Sequence, residues 1–266
     1  MDGRDDLSQL AGVGFAESRR IGCSVVYLES TDSTNLQARR LAEQGAPEGT
    51  VVIADEQSGG RGRMGRNWVS PPGVNLYLSV VLRPRLAPQQ APQITLLSSL
   101  AVAEAVECCC GLIAGVKWPN DVLLGGKKVA GLLGEIAATM SGVDFIILGI
   151  GLNVNMRIDQ LPERPLYPAS SVAIEKGETV PRVPLAKRLL RLLDLHYGIF
   201  LEEGFDPIRR RWQERCAMLG RRVEIDGGGG LLSGEAFGID GEGALLLRLQ
   251  GGRVERVLSG DILAVH

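Results

Sequence analysis

The spacing of apolar residues divides this chain into two parts that must fold differently. Up to about residue 218, short strand-like segments alternate with long stretches of helical spacing, such as Gln89–Cys110 and Pro184–Glu203. From Arg221 onward, four or five short strand-like segments follow one another between glycine-rich turns, over the last 46 residues. The pattern predicts an α+β domain, with a mixed or antiparallel sheet and helices on one face, followed by a small barrel-like β module.

The domain boundaries follow from this change of pattern. Residues 1–20 are charged and lack the apolar core of a signal peptide, so they are predicted to form an N-terminal tail or a short helix. Residues 21–218 are predicted to form the larger domain and residues 219–266 the β module. No stretch approaches 18 uncharged apolar residues, so no membrane span is predicted. No βαβ unit carrying a G-x-G-x-x-G turn is evident, which argues against a Rossmann fold.

Histidine and cysteine counts exclude several kinds of site. The chain has two histidines, so a histidine-rich zinc site is excluded, and a Ser–His or Cys–His catalyst would depend on His196, which lies in a helical run. Five cysteines, three of them consecutive at Cys108–Cys110, fit neither a disulfide framework nor a C-x-x-C metal site. They favour reduced thiols in the cytoplasm. The net charge of −2 argues against nonspecific nucleic-acid binding.

A loop that alternates glycine and arginine is the strongest functional signal. Between Gln57 and Trp68, three arginines and four glycines share eight positions. Glycines let backbone amides face a ligand, and guanidinium groups bind carboxylates and phosphates through paired hydrogen bonds. The loop lies between apolar strands in a protein of net negative charge, so it predicts a site for a small anion. The alternative is a solvated loop or an RNA-binding arginine–glycine tract.

Two later segments carry polar residues at strand ends. Lys117, Asn120 and Asp121 cluster where Pro119 breaks a strand, and the carboxylate there could hold Mg²⁺ against phosphates. Lys128 opens the next apolar strand, where its ammonium could face a developing negative charge. The alternative is a capped turn and a lysine whose stem lies along apolar surface. The third segment, Gly149–Asn155, indicates by itself only the end of a strand.

Together these segments resemble the bacterial biotin–protein ligases, in the form that lacks the N-terminal DNA-binding domain. The order GRGRxGR, KWPND and KxAG is highly specific, and the resemblance covers about residues 21–266. It implies the class II synthetase-like fold of the biotin/lipoate ligase catalytic domain, followed by an SH3-like β-barrel. The matching segments are Ser33–Asn35, Gly60–Arg66 with Trp68, Asn75–Ser79, Lys117–Asp121, Lys128–Leu132, Gly149–Asn153 and, in the β module, Gly238–Leu245.

The resemblance also implies an activity. In this family biotin and ATP form biotinyl-5′-AMP and pyrophosphate, and the biotinyl group then moves to a lysine of a biotin carboxyl carrier protein of a carboxylase. ATP and biotin are the implied substrates and Mg²⁺ the implied cofactor. Only 32 residues precede Ser33, too few for a DNA-binding domain, so we expect neither specific DNA binding nor repressor activity. A cytoplasmic monomer or homodimer without membrane contact is expected.

The resemblance assigns residues to each part of the site. The implied catalytic pair, Arg63 and Lys128, would contact the biotin carboxylate and then the acyl phosphate. Asp121 is the implied Mg²⁺ ligand, through the phosphates. The implied biotin site comprises Ser33, Thr34, Asn35, Gln57, Arg61, Gly62, Arg63 and Lys128, and the implied ATP site comprises Arg66, Trp68, Asn120, Asp121, Lys128 and Asn153.

Three rival functions fit the sequence less well. Lipoate–protein ligases share the fold and chemistry, but they are expected to carry an RR…GGG pattern and a histidine-containing strand, and this chain has no histidine before His196. An RNA- or protein-binding module would leave Lys117–Asp121 and Lys128 unexplained. A serine hydrolase would need the absent G-x-S-x-G turn. Biotin ligation is therefore the predicted function.

Overall fold

A seven-stranded sheet forms the larger part of the protein in the computed structural model, which describes residues 5–12, 20–139, 142–163, 165–227 and 230–266. The strand order is β1-β2-β3-β7-β6-β5-β4; β1 and β2 pair in parallel and the other neighbours antiparallel. This confirms the predicted mixed sheet. The strands are β1 (Ser24–Thr31), β2 (Thr50–Gln57), β3 (Leu76–Leu82), β4 (Ala114–Lys117), β5 (Asp121–Leu124), β6 (Lys127–Thr139) and β7 (Gly142–Leu152).

Helices cover both faces of this sheet, and not one face as the sequence pattern suggested. Side chains alternate between faces along a strand. Val51 and Ile53 of β2 therefore join the main core with the second and fourth helices, whereas Val52 joins a smaller cluster with the first. The helices are α1 (Thr34–Glu43), α2 (Pro92–Cys110), α3 (Val172–Lys176), α4 (Arg182–Glu203) and α5 (Asp206–Glu214).

Helix α2 is the central helix of the main core. It ends in the cysteine triplet, as predicted, and Gly111 caps it in the left-handed conformation. With the turn before it, over Pro88–Cys110, it is the one helix among the described residues long and apolar enough to cross a membrane. However, 67% of its apolar window is buried inside the protein, against α4 and the sheet. Its apolar character is therefore explained by packing.

Over residues 5–12 the structure has the short helix of the two predicted alternatives, a 3₁₀ turn at Leu7–Leu10, and not a polar tail. Leu7 and Leu10 are each only 1% exposed and belong to the main core. Asp5 pairs with Arg182 at the start of α4, with 3.1 Å between Oδ2 and Nε. Two leucines three positions apart lie on one side of a helical turn, and the surrounding charged residues masked this signal. Residues 1–4 and 13–19 of the predicted tail lie outside the described part of the chain.

The predicted β module is a five-stranded antiparallel sheet. Its order is β11-β10-β9-β8-β12, and no ladder joins the two outer strands within the described residues, so hydrogen bonds do not close a barrel. The module packs on the larger domain, where the Trp118 indole donates to the Gly243 carbonyl at 3.1 Å. The strands are β8 (Arg222–Asp226), β9 (Leu231–Ile239), β10 (Leu245–Arg248), β11 (Val254–Val257) and β12 (Asp261–Val265).

Candidate active site

One cavity on the α1 side of the sheet brings together every residue predicted for the site. Its volume of about 320 Å³ is within the range of small-molecule pockets. The arginine loop, the ends of β5 to β7, the segment after β7 and the start of β12 surround it. The thirteen predicted residues that line it are Ser33, Thr34, Asn35, Gln57, Arg61, Gly62, Arg63, Arg66, Trp68, Asn120, Asp121, Lys128 and Asn153.

Glycines of β7 form the floor of the cavity. Ile147 packs beneath α1, and Gly149 and Gly151 follow it on the same face because strand residues alternate. A Cβ at Gly149 would collide with the Asn35 side chain, and one at Gly151 would lie 2.5 Å from the Trp68 indole. The G-I-G spacing, which by itself indicated only a strand end, leaves the space these two side chains occupy.

Hydrogen bonds order the polar end of the cavity at the start of α1. The Gln57 Oε1 atom accepts from the Thr34 amide at 2.9 Å and from the Thr34 hydroxyl at 3.1 Å. The Ser79 hydroxyl lies 2.8 Å from Thr34 Oγ1 and 2.6 Å from Asn35 Oδ1. Ser33 is the N-cap of α1, but its hydroxyl makes no capping hydrogen bond. The Gln57 Nε2 atom donates to the Ser70 hydroxyl at 3.0 Å, so it is the Ser33 hydroxyl that suits a polar ligand group.

The Trp68 ring packs against the glycine floor. A Cβ at Gly131 on β6 would come within 2.9 Å of its ring, and Lys128 Nζ lies 5.5 Å from the ring centroid. The indole N–H is buried, and no acceptor for it is found among the described residues. A buried donor without a partner is costly.

The arginine loop folds into a small hairpin above this floor. Arg61 and Asn67 form an antiparallel bridge, and the Gly62 amide donates to the Arg66 carbonyl at 2.7 Å. Arg63 points inward and its Nη1 donates to Asn120 Oδ1 at 3.4 Å. Burial lowers the pKa of Arg63, and the carboxylates of Asp261 and Asp121 oppose that shift. A guanidinium remains charged under these conditions, so the loop presents a desolvated cation to the cavity.

A buried carboxylate lies between two lysines on the opposite wall. Asp121 Oδ2 is 2.8 Å from Lys117 Nζ, and Asp121 Oδ1 is 2.6 Å from Lys128 Nζ. Burial opposes ionisation of Asp121, but the two ammonium groups outweigh it and hold the pKa of Asp121 below its ordinary value. Burial lowers the pKa of Lys117, whose ammonium also faces the Tyr167 ring at 4.6 Å. The three groups form one charged unit.

Asp121 is held by two lysines here, and its predicted role as a Mg²⁺ ligand through the phosphates stays a prediction. Both carboxylate oxygens already face an ammonium group. The described residues contain no group of three or more histidine, cysteine, aspartate or glutamate side chains that could hold a metal ion. A Mg²⁺ ion that accompanies ATP takes most of its oxygen ligands from phosphates and water, so this wall would supply at most one of them. The structure thus supports Asp121 as the partner of two lysines.

Asn120 and Asn153 stabilise the edges of the cavity through hydrogen bonds to backbone carbonyls. The Asn120 amide donates to the Leu132 carbonyl at 2.8 Å, and the Asn153 amide donates to the Ser170 carbonyl at 3.0 Å. Asn153 therefore has the strand-ending role that its sequence position indicated, while also lining the cavity. His196 lies elsewhere, buried on α4 with Nε2 2.8 Å from Glu104 Oε2. As predicted, it is a helix residue and not part of this site.

Sequence reasoning missed two parts of the wall. The proline-rich segment after β7 contributes Pro162, Leu166 and Tyr167, and β12 contributes Asp261 and Ile262. The segment resembled an ordinary loop, and Asp261 lies more than 190 positions from the arginines it contacts. No periodicity or short motif marked either part. Their contribution depends on how the β module packs against the larger domain.

Comparison with known proteins agrees with this geometry. Residues 27–153 match the model of the biotin/lipoate A/B protein ligase family, and residues 218–263 match that of the biotin protein ligase C-terminal domain. The chain is 38% identical to a bifunctional ligase/repressor BirA of Bacillus spizizenii, over 91% of this chain and 74% of that protein. It is 35% identical to a biotin–[acetyl-CoA-carboxylase] ligase of Mycobacterium tuberculosis, over 99% and 95%. The biotin protein ligase of Aquifex aeolicus, solved with biotin and ATP, superimposes with a TM-score of 0.77 at 32% identity, over 91% of this chain and 98% of that one. These relationships show that the chain belongs to the biotin protein ligase family.

Proposed function

We propose that this protein activates biotin with ATP and transfers the biotinyl group to a lysine of a biotin carboxyl carrier protein. One observation carries the proposal: a single cavity combines a hydrogen-bonding end with a strongly basic wall. Five arginine and lysine side chains line it, against two aspartates. Such a site suits a neutral polar head group joined to a carboxylate and a polyphosphate. The relatives named as biotin ligases support the choice of biotin.

The polar end of the cavity would hold the ureido ring of biotin. Ser33 and Thr34 offer hydroxyl groups, and Gln57 offers an amide, at fixed positions beside the start of α1. Asn35 shapes this end through its contact with Gly149, and Arg61 and Gly62 border it. The glycine floor and the Trp68 ring provide apolar surface for the rest of the biotin molecule, and the Trp68 ring would also face the adenine of ATP, the role that the resemblance implies. The carboxylate would then extend toward Arg63 and Lys128.

The first reaction brings two anions together. A biotin carboxylate oxygen attacks the α-phosphorus of ATP, the bond from that phosphorus to the bridging oxygen breaks, and pyrophosphate leaves. Arg63 and Lys128 would neutralise the carboxylate and the negative charge that develops on the oxygens of the α-phosphate. The carboxylate is already ionised, so the reaction needs positive charge and orientation and no strong base. Arg66 and Asn120 would bind the phosphates, with Asp121 and Asn153 positioning this wall. Mg²⁺ would arrive with ATP and supply positive charge to the phosphates.

The second reaction forms the product amide. The acceptor lysine amine attacks the carbonyl carbon of biotinyl-5′-AMP, the bond from that carbon to the phosphate oxygen breaks, and AMP leaves with one proton released from nitrogen. Lys128 would stabilise the negative charge on the phosphate of the departing AMP, as it stabilises the α-phosphate in the first reaction. The acceptor would be a carrier domain of a biotin-dependent carboxylase. We also propose a cytoplasmic monomer or homodimer without specific DNA binding; the five free cysteines support that compartment.

The test is adenylate formation without an acceptor. Purified protein is incubated with biotin, Mg²⁺ and ATP labelled at the α-phosphate, and the labelled product is identified by chromatography. We expect labelled biotinyl-5′-AMP that forms only with biotin and stays with the protein through gel filtration. Addition of a carrier domain should then discharge AMP and leave biotin on the carrier lysine.

Two other results would give different conclusions. If lipoate forms the adenylate and biotin does not, the fold and chemistry stand but the substrate is wrong. If no acid forms an adenylate, a ligase is excluded and the arginine loop would have to bind another anion. An RNA-binding loop would then show affinity that falls steeply with salt concentration.

A further inference from the structure

The β module contributes a carboxylate to the wall of the cavity. Asp261 opens β12 and pairs with two arginines of the loop, the inward Arg63 and the more exposed Arg66. Arg66 donates from Nη2 to Asp261 Oδ2, while Arg63 Nη1 lies 3.7 Å from Asp261 Oδ1. Arg63 Nη1 also donates to the Gly260 carbonyl at 3.2 Å. We propose that Asp261 is a positioning residue that holds Arg63 and Arg66 where they meet the phosphates of ATP, an inference that rests on the proposed function.

The turn that carries this carboxylate is fixed by packing. A Cβ at Gly260 would lie 2.8 Å from both the Asp226 carbonyl oxygen and Ile225 Cγ2, so only glycine fits there. Asp261 itself is paired with Asp226 across the β8–β12 ladder, and the next residue, Ile262, is 1% exposed. The arginines, in contrast, belong to a loop. Packing of β12 therefore fixes the position of Asp261, and Asp261 in turn fixes the side chains of the loop arginines.

The guanidinium groups have few other anchors. Apart from Asp261 and Gly260, Arg63 donates to Asn120 Oδ1 at 3.4 Å, and Arg66 Nε donates to the Arg63 carbonyl at 3.2 Å. Long arginine side chains lose conformational entropy when they are fixed. If Asp261 fixes them before ATP arrives, that cost no longer falls on the binding step.

A carboxylate in an anion site also repels phosphates. This repulsion acts against the gain in ATP binding that comes from positioning the arginines. Repulsion would weaken ATP binding, so removing the charge of Asp261 would tighten it. However, Asp261 faces two guanidinium groups, so the local charge there is positive. We therefore expect the loss of positioning to exceed the relief of repulsion.

Limited proteolysis tests whether Asp261 holds the loop, whatever the substrate is. Trypsin cleaves after arginine, so Arg61, Arg63 and Arg66 report exposure of the loop directly. In the ligand-free protein, Asp261→Asn should speed cleavage within the loop, and Asp261→Glu should restore much of the protection. The matched control is Glu235→Gln, which removes an exposed pair with Arg248 on the same module, away from the cavity. Cleavage of Asp261→Asn at the wild-type rate would overturn the proposal.

Steady-state kinetics test the consequence for ATP. Asp261→Asn should raise the KM for ATP about 5- to 10-fold, the value of one charge-assisted contact, and raise the KM for biotin less. An unchanged KM for ATP, or a lower one, would overturn the proposal, since a lower KM would mean that Asp261 competes with the phosphates. If the wild-type protein forms no biotinyl-5′-AMP, the proposed function fails, and proteolysis alone decides whether Asp261 holds the loop.

Discussion

Two adjacent lysines on β6 have opposite environments. Lys128 Nζ lies in the cavity, 2.6 Å from Asp121 Oδ1, whereas Lys127 is half exposed and pairs with Glu175 at 2.9 Å. Lys128→Gln should lower the rate of adenylate formation roughly 10²- to 10³-fold, because a positioned cation is lost where charge develops. Lys127→Gln should leave that rate unchanged. Release of pyrophosphate measures both, and a Lys128→Gln variant within tenfold of the wild-type rate would contradict the assigned role.

The charged unit around Asp121 should dominate local stability. Asp121→Asn leaves two ammonium groups, one deeply buried, without their shared anion. We expect the free energy of unfolding to fall by about 3–5 kcal/mol, measured by urea denaturation. Asp159→Asn, which breaks an exposed pair with Arg157, should leave it unchanged. Adding Lys117→Met to Asp121→Asn should recover part of the loss; no recovery would mean that charge is not the cause.

The same carboxylate predicts an acid limb of the stability curve. The pKa of Asp121 in the folded protein lies below its ordinary value, so its ionised form favours the folded state. Its contribution is complete above about pH 4, the pKa of an unfolded aspartate, and declines as the pH falls toward the lowered pKa. In urea titrations at decreasing pH, Asp121→Asn should therefore lose less stability than the wild type. Parallel pH curves for both proteins would rule out this source of acid sensitivity.

At the scale of the element, strand β7 is specialised along its length. Its first half packs beneath α1. In its second half, Gly149 lies against the Asn35 side chain and Gly151 against the Trp68 ring. Gly151→Ala should displace the Trp68 ring and weaken biotin binding about tenfold, measured by calorimetry, with little loss of secondary structure. Gly241→Ala is the control, because a Cβ there meets no atom within 4 Å. Wild-type affinity in Gly151→Ala would show that the indole position does not matter for biotin.

The elements that sequence could predict are those with local signals. Strand β3 and helix α2 follow from alternation and helical spacing, and the KWPND and arginine-loop motifs gave the cavity residues because each motif is contiguous. The second covered face was missed because α1 is short and Val52 alternates with residues that face the larger core. Asp261 was missed because its partners are set by tertiary packing, which no local pattern encodes.

At the scale of the whole molecule, one apolar core runs through both parts. The main cluster includes Leu97 of α2 together with Val223, Leu245 and Ile262 of the β module. Hydrogen bonds also join the parts, since the Ile239 amide of the β module donates to Gln213 Oε1 at 3.0 Å and the Gln93 side chain of α2 donates to the Gly241 carbonyl at 2.9 Å. A continuous core of this kind favours unfolding as one unit.

A substitution in the β module should therefore destabilise the larger domain as well. Leu245→Ala should lower the free energy of unfolding by about 2–5 kcal/mol, with tryptophan emission and hydrogen exchange of the β module giving one coincident transition. The exposed Leu258→Ala should change it little. If the exchange of the module precedes the change in emission, the two parts unfold separately.

Trp68 gives the protein a built-in optical reporter. The chain has three tryptophans, and Trp118 and Trp212 are buried at 1% and 0% exposure, away from the cavity floor. Only Trp68 lies where a ligand would change the polarity and hydrogen bonding of an indole. Titration with biotin or ATP should therefore shift or quench emission in the wild type and not in Trp68→Phe. Ligand occupancy could then be followed in real time on the unlabelled protein.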